Sequence, residues 1–200
     1  MCTRINMKYQ QQKTESGFAL LISLIVVGVV ISIGLSVLDL TIKQVRLSTN
    51  AKESELAFHA ANAGMECARY WRRASSSQME VGDPISPICF SQSPDTNTID
   101  ATAPTYVGDG ESYLYSYEFT WGGSEPRCTQ INTVVASSSA IGTGVTTTNM
   151  VALIPGYPDG NNKYCEPGAR CSTVSVRGYN RPCNTTGGFG VVQREVLLQY

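Results

Sequence analysis

Histidine and charged side chains are scarce in this sequence. Its 200 residues include a single histidine, His59, and only 16% of them are charged, against about a quarter in an ordinary soluble protein. One imidazole excludes sites built on several histidines, and no cysteine pair has the C-x2-C spacing of a zinc site. The G-x-S-x-G motif of hydrolases and the phosphate-binding Walker loop are also missing. The sequence therefore predicts a protein that is not an enzyme and that holds no metal or cofactor.

Net charge is also close to zero, at −1, so no overall field attracts nucleic acid. Arg170, Arg177 and Arg181 could form a local basic patch for DNA, but separately solvated arginines would give the same pattern. His59 follows Glu55 by four residues, a spacing that predicts a side-chain pair on the surface of a helix.

One long segment contains no charge at all. Residues 18–38 read FALLISLIVVGVVISIGLSVL, and as a helix they would span roughly 30 Å, the thickness of a bilayer core. The preceding residues 1–17 contain three bases and one acid, which places them in the cytoplasm and the rest of the chain outside. A signal peptide would have a shorter apolar core, whereas an uncleaved membrane anchor remains an alternative.

Small residues recur at every fourth position of this segment, at Gly28, Ser32 and Ser36. This spacing puts them on one face of a helix, where small side chains let apolar helices approach closely. We therefore expect this face to pack against other helices.

The helix is predicted to continue through residues 39–74, which contain no proline and a single glycine, Gly64. Arginines near its end suit the negative end of the helix dipole, and the serines at 75–77 should end the helix. Apolar residues with helical spacing form a stripe that should contact the C-terminal region. The stripe consists of Leu56, Ala60, Ala63, Cys67 and Trp71.

The C-terminal region predicts β-structure. Residues 113–121 alternate between aromatic and mostly polar side chains, as in a half-buried strand, and the Gly122-Gly123-Ser124 turn predicts a hairpin. We expect an α+β fold, with an antiparallel β-sheet whose aromatic face packs on Leu56, Ala60 and Ala63 of the amphipathic helix. Carbohydrate binding is the alternative use of these aromatic rings. Further strands are predicted over 128–136, 146–154, 172–179 and 191–200, after a turn-rich connection over 78–110 and with no second helix.

These features together resemble the type IV pilins and pseudopilins. A short basic leader ends at Gly17, and Phe18 opens an apolar helix that turns amphipathic. Residues 50–71, NAKESELAFHAANAGMECARYW, are similar to the helix of PilX-type minor pilins. The resemblance covers residues 13–73, and the final segments VRGYNRPCN and REVLLQY are less specifically similar to pilin-like heads.

The resemblance implies a processing step. A membrane prepilin peptidase would cut between Gly17 and Phe18 and methylate the new amino terminus. Major pilins usually have glutamate at the fifth mature position, where this chain has Ile22. A carboxylate in an apolar core is costly unless it pairs with the amine of a neighbouring subunit, and this subunit cannot make that pair. In the family this absence is associated with certain minor subunits, including ones at the filament tip, so the resemblance implies a minor rather than a major pilin.

The cysteines predict disulfides. Cys2 lies in the leader, and the remaining six of the seven cysteines lie in the external region, where an even number indicates pairing. Many pairings are open, and zinc ligation is a less favoured alternative. We favour three pairs that would join the helix end to the next loop, an early strand to a late one, and the ends of a small CEPGARC loop. They are Cys67–Cys89, Cys128–Cys183 and Cys165–Cys171.

The sequence thus predicts a leader (1–17), a membrane or filament-core helix (18–38), an amphipathic helix (39–74) and a disulfide-bonded head (75–200). The expected function is that of a minor pilin or pseudopilin, held by a single pass in the inner membrane before assembly and displayed at the cell surface afterwards. Its expected partners are other pilin subunits, the prepilin peptidase and the inner membrane. The alternative is a single-span adhesin or a DNA-uptake module that binds a surface ligand or DNA.

Overall fold

A computed structural model describes residues 16–94 and 98–200, so residues 1–15 of the predicted leader lie outside the described part. The chain divides into two compact units, Met1–Thr49 and Asn50–Tyr200. The helices are α1 (Ser16–Ala74), α2 (Ser76–Val81) and α3 (Met150–Leu153). The strands are β1 (Tyr106–Gly108), β2 (Gly110–Trp121), β3 (Arg127–Ser138), β4 (Val145–Thr147), β5 (Lys163–Cys165), β6 (Arg170–Tyr179) and β7 (Gln193–Gln199).

Helix α1 ends at Ala74, as the serines at 75–77 predicted, but a second helix follows at once. The short helix α2 ends at Val81 and is capped by Gly82, which has a left-handed φ of 77° and donates its N–H to the carbonyl of Gln78. Glycine suits this position because a Cβ would carry strain there and would also meet the ring of Tyr113. The prediction of no second helix is therefore wrong.

The strands form two antiparallel sheets rather than the single sheet expected. The larger sheet has the order β2-β3-β6-β7, and the smaller has the order β1-β4-β5. The predicted hairpin joins β2 to β3, and Gly122 and Gly123 supply the positive φ angles of its turn, 107° and 61°. The predicted strands over 128–136, 172–179 and 191–200 are confirmed as β3, β6 and β7.

The predicted strand over 146–154 is only partly correct. Strand β4 stops at Thr147, Asn149 has a left-handed φ of 61°, and a turn of helix, α3, follows. On this turn Met150 and Ile154, four residues apart, both become fully buried beside Val134 of β3. The burial of two apolar side chains on one helical face thus outweighs the β propensity of the local sequence.

The aromatic face of β2 lies in the core, as predicted. Tyr115, Tyr117 and Phe119 are all buried, and Ile131 of β3 and Val176 of β6 belong to the same apolar cluster. Burial raises the pKa of Tyr115 to about 12 and also raises the pKa of Tyr117, so both hydroxyls stay protonated at neutral pH. These rings are core residues and are not available to a carbohydrate.

The buried face of α1 in the second unit is displaced from the predicted stripe. Ala60 is buried, but Leu56 and Trp71 are only half-buried, and Trp71 donates its Nε1–H to the carbonyl of Ile88 at 3.2 Å. The reason is side-chain size, because small residues let a helix backbone approach a sheet where larger ones would hold it away. The buried positions are Ala57, Ala60, Ala61, Gly64, Met65, Ala68 and Arg72.

Two glycines mark the closest approach of helix and sheet. A Cβ on Gly178 of β6 would collide with the backbone of Ala57 and Ala61, and one on Gly64 of α1 would collide with the side chains of Thr129 and Val176. The hydroxyl of Thr129 also donates to the carbonyl of Ala60 at 3.1 Å. Helix and sheet are therefore in backbone contact, with no room for an added methyl group.

We predict that Gly178→Ala lowers the free energy of unfolding by about 3 kcal/mol, because the added methyl must displace helix backbone. Gly187→Ala is the matched control, since a Cβ there has nothing within 4 Å and no positive φ to strain. Denaturant unfolding followed by tryptophan fluorescence measures both variants. Equal stabilities would contradict the close approach.

Candidate functional site

The apolar surface of α1 between Phe18 and Leu38 is the first candidate for a functional surface. Its large apolar side chains are exposed by 45% to 70%, and Ile22 is the least exposed of them. Within the described residues, α1 is the helix whose length and composition would let it cross a membrane. Such a surface is stable only where lipid or other apolar helices cover it, which is consistent with single-pass anchoring.

The hydroxyl groups in this segment are largely satisfied by the helix itself. Ser23 donates to the carbonyl of Leu20 at 2.8 Å, and Ser36 donates to the carbonyl of Ser32 at 2.9 Å. Such bonds reduce the cost of placing a hydroxyl in hydrocarbon. Gly28, Ser32 and Ser36 are all exposed, and a Cβ on Gly28 would have nothing within 4 Å, so this small-residue face is open to a neighbouring helix.

The predicted processing site lies at the beginning of the described chain. Gly17 and Phe18 are both in α1, and Phe18 is 70% exposed. The basic residues of the leader lie outside the described residues. Cleavage at this bond therefore stays a prediction.

Three disulfides lie in the second unit, and they are the pairs that the sequence favoured. Cys67–Cys89 joins α1 to the segment after α2, Cys128–Cys183 joins β3 to the 3-10 turn at Cys183–Thr185, and Cys165–Cys171 joins β5 to β6. Glu118 offers an oxygen near Cys128 and Cys183, a grouping that could suggest a metal. Because both sulfurs belong to a disulfide, neither can ligate as a thiolate.

A buried ion pair lies at the end of α1. The side chain of Arg72 is only 7% exposed, donates from Nε to the hydroxyl of Ser172 at 2.7 Å, and donates from Nη2 to Glu80 at 3.1 Å. The other carboxylate oxygen of Glu80 contacts Arg170 at 3.1 Å. Arg72 thus has a structural role beyond the helix dipole. Sequence reasoning missed it because Glu80 belongs to a different helix and has no periodic relation to Arg72.

The structure does not gather the arginines of the suggested basic patch. Arg170 and Arg177 lie near opposite ends of β6, roughly 23 Å apart at the rise of a β-strand. Each contacts a carboxylate, Arg170 that of Glu80 and Arg177 that of Glu195 at 3.4 Å. Arg181 lies elsewhere, in a crevice beside α1. The predicted pair of His59 with Glu55 is confirmed, at 3.5 Å.

The crevice beside α1 has a volume of about 200 Å³ and mixed charge. Lys52 faces Glu125 at 4.0 Å, and Glu53 accepts a hydrogen bond from the amide of Asn180 at 2.7 Å. Because acids and bases alternate around it, the crevice presents no field of one sign to a ligand. Its lining residues are Lys52, Glu53, Leu56, Ser124, Glu125, Pro126, Arg127, Asn180 and Arg181.

Loss of the Cys128–Cys183 disulfide should destabilise the head more than loss of Cys165–Cys171. The first closes a separation of 55 residues and the second only 6, which gives about 4 and about 2 kcal/mol in the chain-entropy model. The double variants Cys128→Ala/Cys183→Ala and Cys165→Ala/Cys171→Ala are a matched pair, because each removes one disulfide that includes a buried cysteine. Denaturant midpoints measure the difference, and the reverse order would contradict this entropic ranking.

Arg72→Met should lower the free energy of unfolding by about 3 kcal/mol, because it removes the buried base of Glu80 and leaves only the exposed Arg170 beside that buried carboxylate. Arg73→Met, one residue further along the helix, is the control, since Arg73 is exposed and should change stability by less than about 0.5 kcal/mol. Thermal unfolding of both variants measures the effect. Two equal losses would show that the buried pair does not stabilise the head.

A scan of protein-family models, a search of curated proteins and a search of solved structures each match nothing to this chain.

Proposed function

We propose that this protein is a minor pilin or pseudopilin, a structural subunit of a type IV pilus or a related secretion filament. The observation that supports it most is helix α1, whose large apolar side chains within residues 18–38 are exposed by at least 45%. Further along the same helix, a face of small residues packs on a disulfide-bonded β-sheet head. A helix of this kind needs an apolar environment, and a filament core of parallel helices supplies one as well as a bilayer does.

Assembly would use this surface in two steps. The subunit waits in the inner membrane with residues 18–38 in the bilayer, and a prepilin peptidase cuts after Gly17 and methylates Phe18. The helix then leaves lipid for a filament core, where van der Waals packing at Gly28, Ser32 and Ser36 replaces lipid contacts. In this role the subunit catalyses no reaction on another molecule.

The residue at the fifth mature position supports a minor role. Ile22 is apolar, so this subunit cannot neutralise the amine of a neighbouring subunit with a carboxylate at that point. A subunit without this carboxylate–amine pair is less able to form a fibre made only of its own copies. It is better suited to occupy a small number of sites in a fibre built from other pilins. Once assembled, its head is displayed at the pilus or cell surface.

The N-terminus of the protein isolated from its native membrane tests this proposal. We expect a chain that begins at N-methylated Phe18, shown by intact mass and by the mass of the terminal peptide. Gly17→Val should retain residues 1–17, because a branched side chain blocks the peptidase. Gly34→Val, in the same helix, should be cut normally.

Retention of residues 1–17 in the wild-type protein would contradict pilin processing. The chain would then be a single-span anchor, and an adhesin or DNA-uptake role for the head would replace filament assembly as the hypothesis to test.

A further inference from the structure

Four polar side chains meet where β5, β7 and the segment after α3 come together. Gln199, at the end of β7, lies at the centre of this cluster. Its Oε1 accepts hydrogen bonds from Lys163 Nζ at 2.5 Å and from the Tyr157 hydroxyl at 3.1 Å. Its Nε2 donates to Asp159 Oδ2 at 2.7 Å. Because an ammonium only donates and a carboxylate only accepts, the amide has one orientation, with its carbonyl towards Lys163.

The cluster contains the groups that an acyl transfer requires. An amine that has lost a proton is a nucleophile, and the carboxamide carbon next to it is an electrophile. Tyr157 points its hydroxyl at the oxygen where negative charge would develop. This tyrosine is only 5% exposed and packs with Met150 and Ile154, and burial together with Asp159 raises its pKa, so it remains a hydrogen-bond donor.

We propose that Lys163 and Gln199 form an intramolecular isopeptide bond. After one proton leaves the ammonium for solvent, Nζ attacks Cδ of Gln199, and the carbonyl electron pair moves to Oε1, where Tyr157 stabilises it. Asp159 takes a proton from the attacking nitrogen and returns it to Nε2. The Cδ–Nε2 bond then breaks and ammonia leaves. One amide bond forms and one is lost, and no oxidant, reductant or cofactor enters the balance.

The bond would tie the small sheet to the edge of the large one. Lys163 begins β5, and Gln199 ends β7, while the Cys165–Cys171 disulfide already links β5 to β6. A reducing agent breaks the disulfide but leaves an isopeptide bond intact. The inference does not depend on the proposed function, although a covalent tie at the final strand suits a subunit under load.

The mass of the purified, reduced full chain tests the proposal. With its amino terminus identified, we expect the wild type to weigh one ammonia molecule less than the corresponding sequence. Trypsin should then fail to cut at Lys163 and should release a branched peptide in which residues 128–170 are joined to residues 195–200. Fragmentation of this peptide identifies the linked residues.

Lys163→Arg and Gln199→Glu should each have the full mass of their own sequence. The first keeps a positive donor that does not attack the amide. The second replaces the amide with a carboxylate, which resists attack by an amine and pairs with the ammonium instead. Tyr157→Phe should lower the fraction of chains that carry the bond. A wild type of full mass overturns the proposal, and so does a deficit that persists in Lys163→Arg or maps to another lysine.

Gln130 provides a matched control within the same fold. Its Oε1 accepts from the Tyr179 hydroxyl at 3.0 Å and its Nε2 donates to Glu118 at 2.9 Å, an arrangement like that of Gln199. Among the described residues no lysine donates to it. Gln130→Glu should therefore retain the full mass deficit, and a loss of the deficit in this variant would overturn the assignment to Gln199.

Discussion

The contact between α1 and the centre of the large sheet determines the arrangement of the head. Gly64 on the helix and Gly178 on β6 leave no space for a Cβ, so backbone meets backbone. This distance in turn decides which helix positions can be buried. Alanines fit between the two elements, whereas Leu56 and Trp71 must lie at the sides. Thr129 adds a hydrogen bond to the helix at the same place.

Such a contact buries little apolar area per residue, because alanine and glycine have small side chains. The head therefore takes much of its apolar burial from the aromatic face of β2 and from the paired strands behind it. Polar and covalent ties add to this burial. Arg72 fixes the end of α1 to Ser172 and Glu80, and the three disulfides lie within or against the apolar clusters. The disulfides and the core thus stabilise the same parts of the head.

Local sequence patterns predicted the strands and turns that depend mainly on neighbouring residues. The alternation of aromatic and polar side chains over 113–121 predicted β2, and two glycines predicted its hairpin. The positions of the cysteines predicted disulfide pairs that the structure contains. The helical turn at Met150 was missed because its apolar residues are selected by burial beside Val134, which no local pattern records. The buried partner of Arg72 and the neighbours of Gln199 were missed for the same reason, since each depends on residues brought together by the complete fold. The exposed apolar helix could be read directly, because its composition alone requires an apolar surrounding.

The backbone contact at Gly178 also has a consequence for biosynthesis. A chain made from its N-terminus presents the alanine face of α1 long before β6 exists, and β6 must form before that face can be covered. The Cys67–Cys89 bond spans 22 residues and can close early, but Cys128 must wait for Cys183, which follows β6. The head therefore completes its core only after β6 has been made, and until then the alanine face and the unpaired cysteines of the nascent chain are open to wrong contacts.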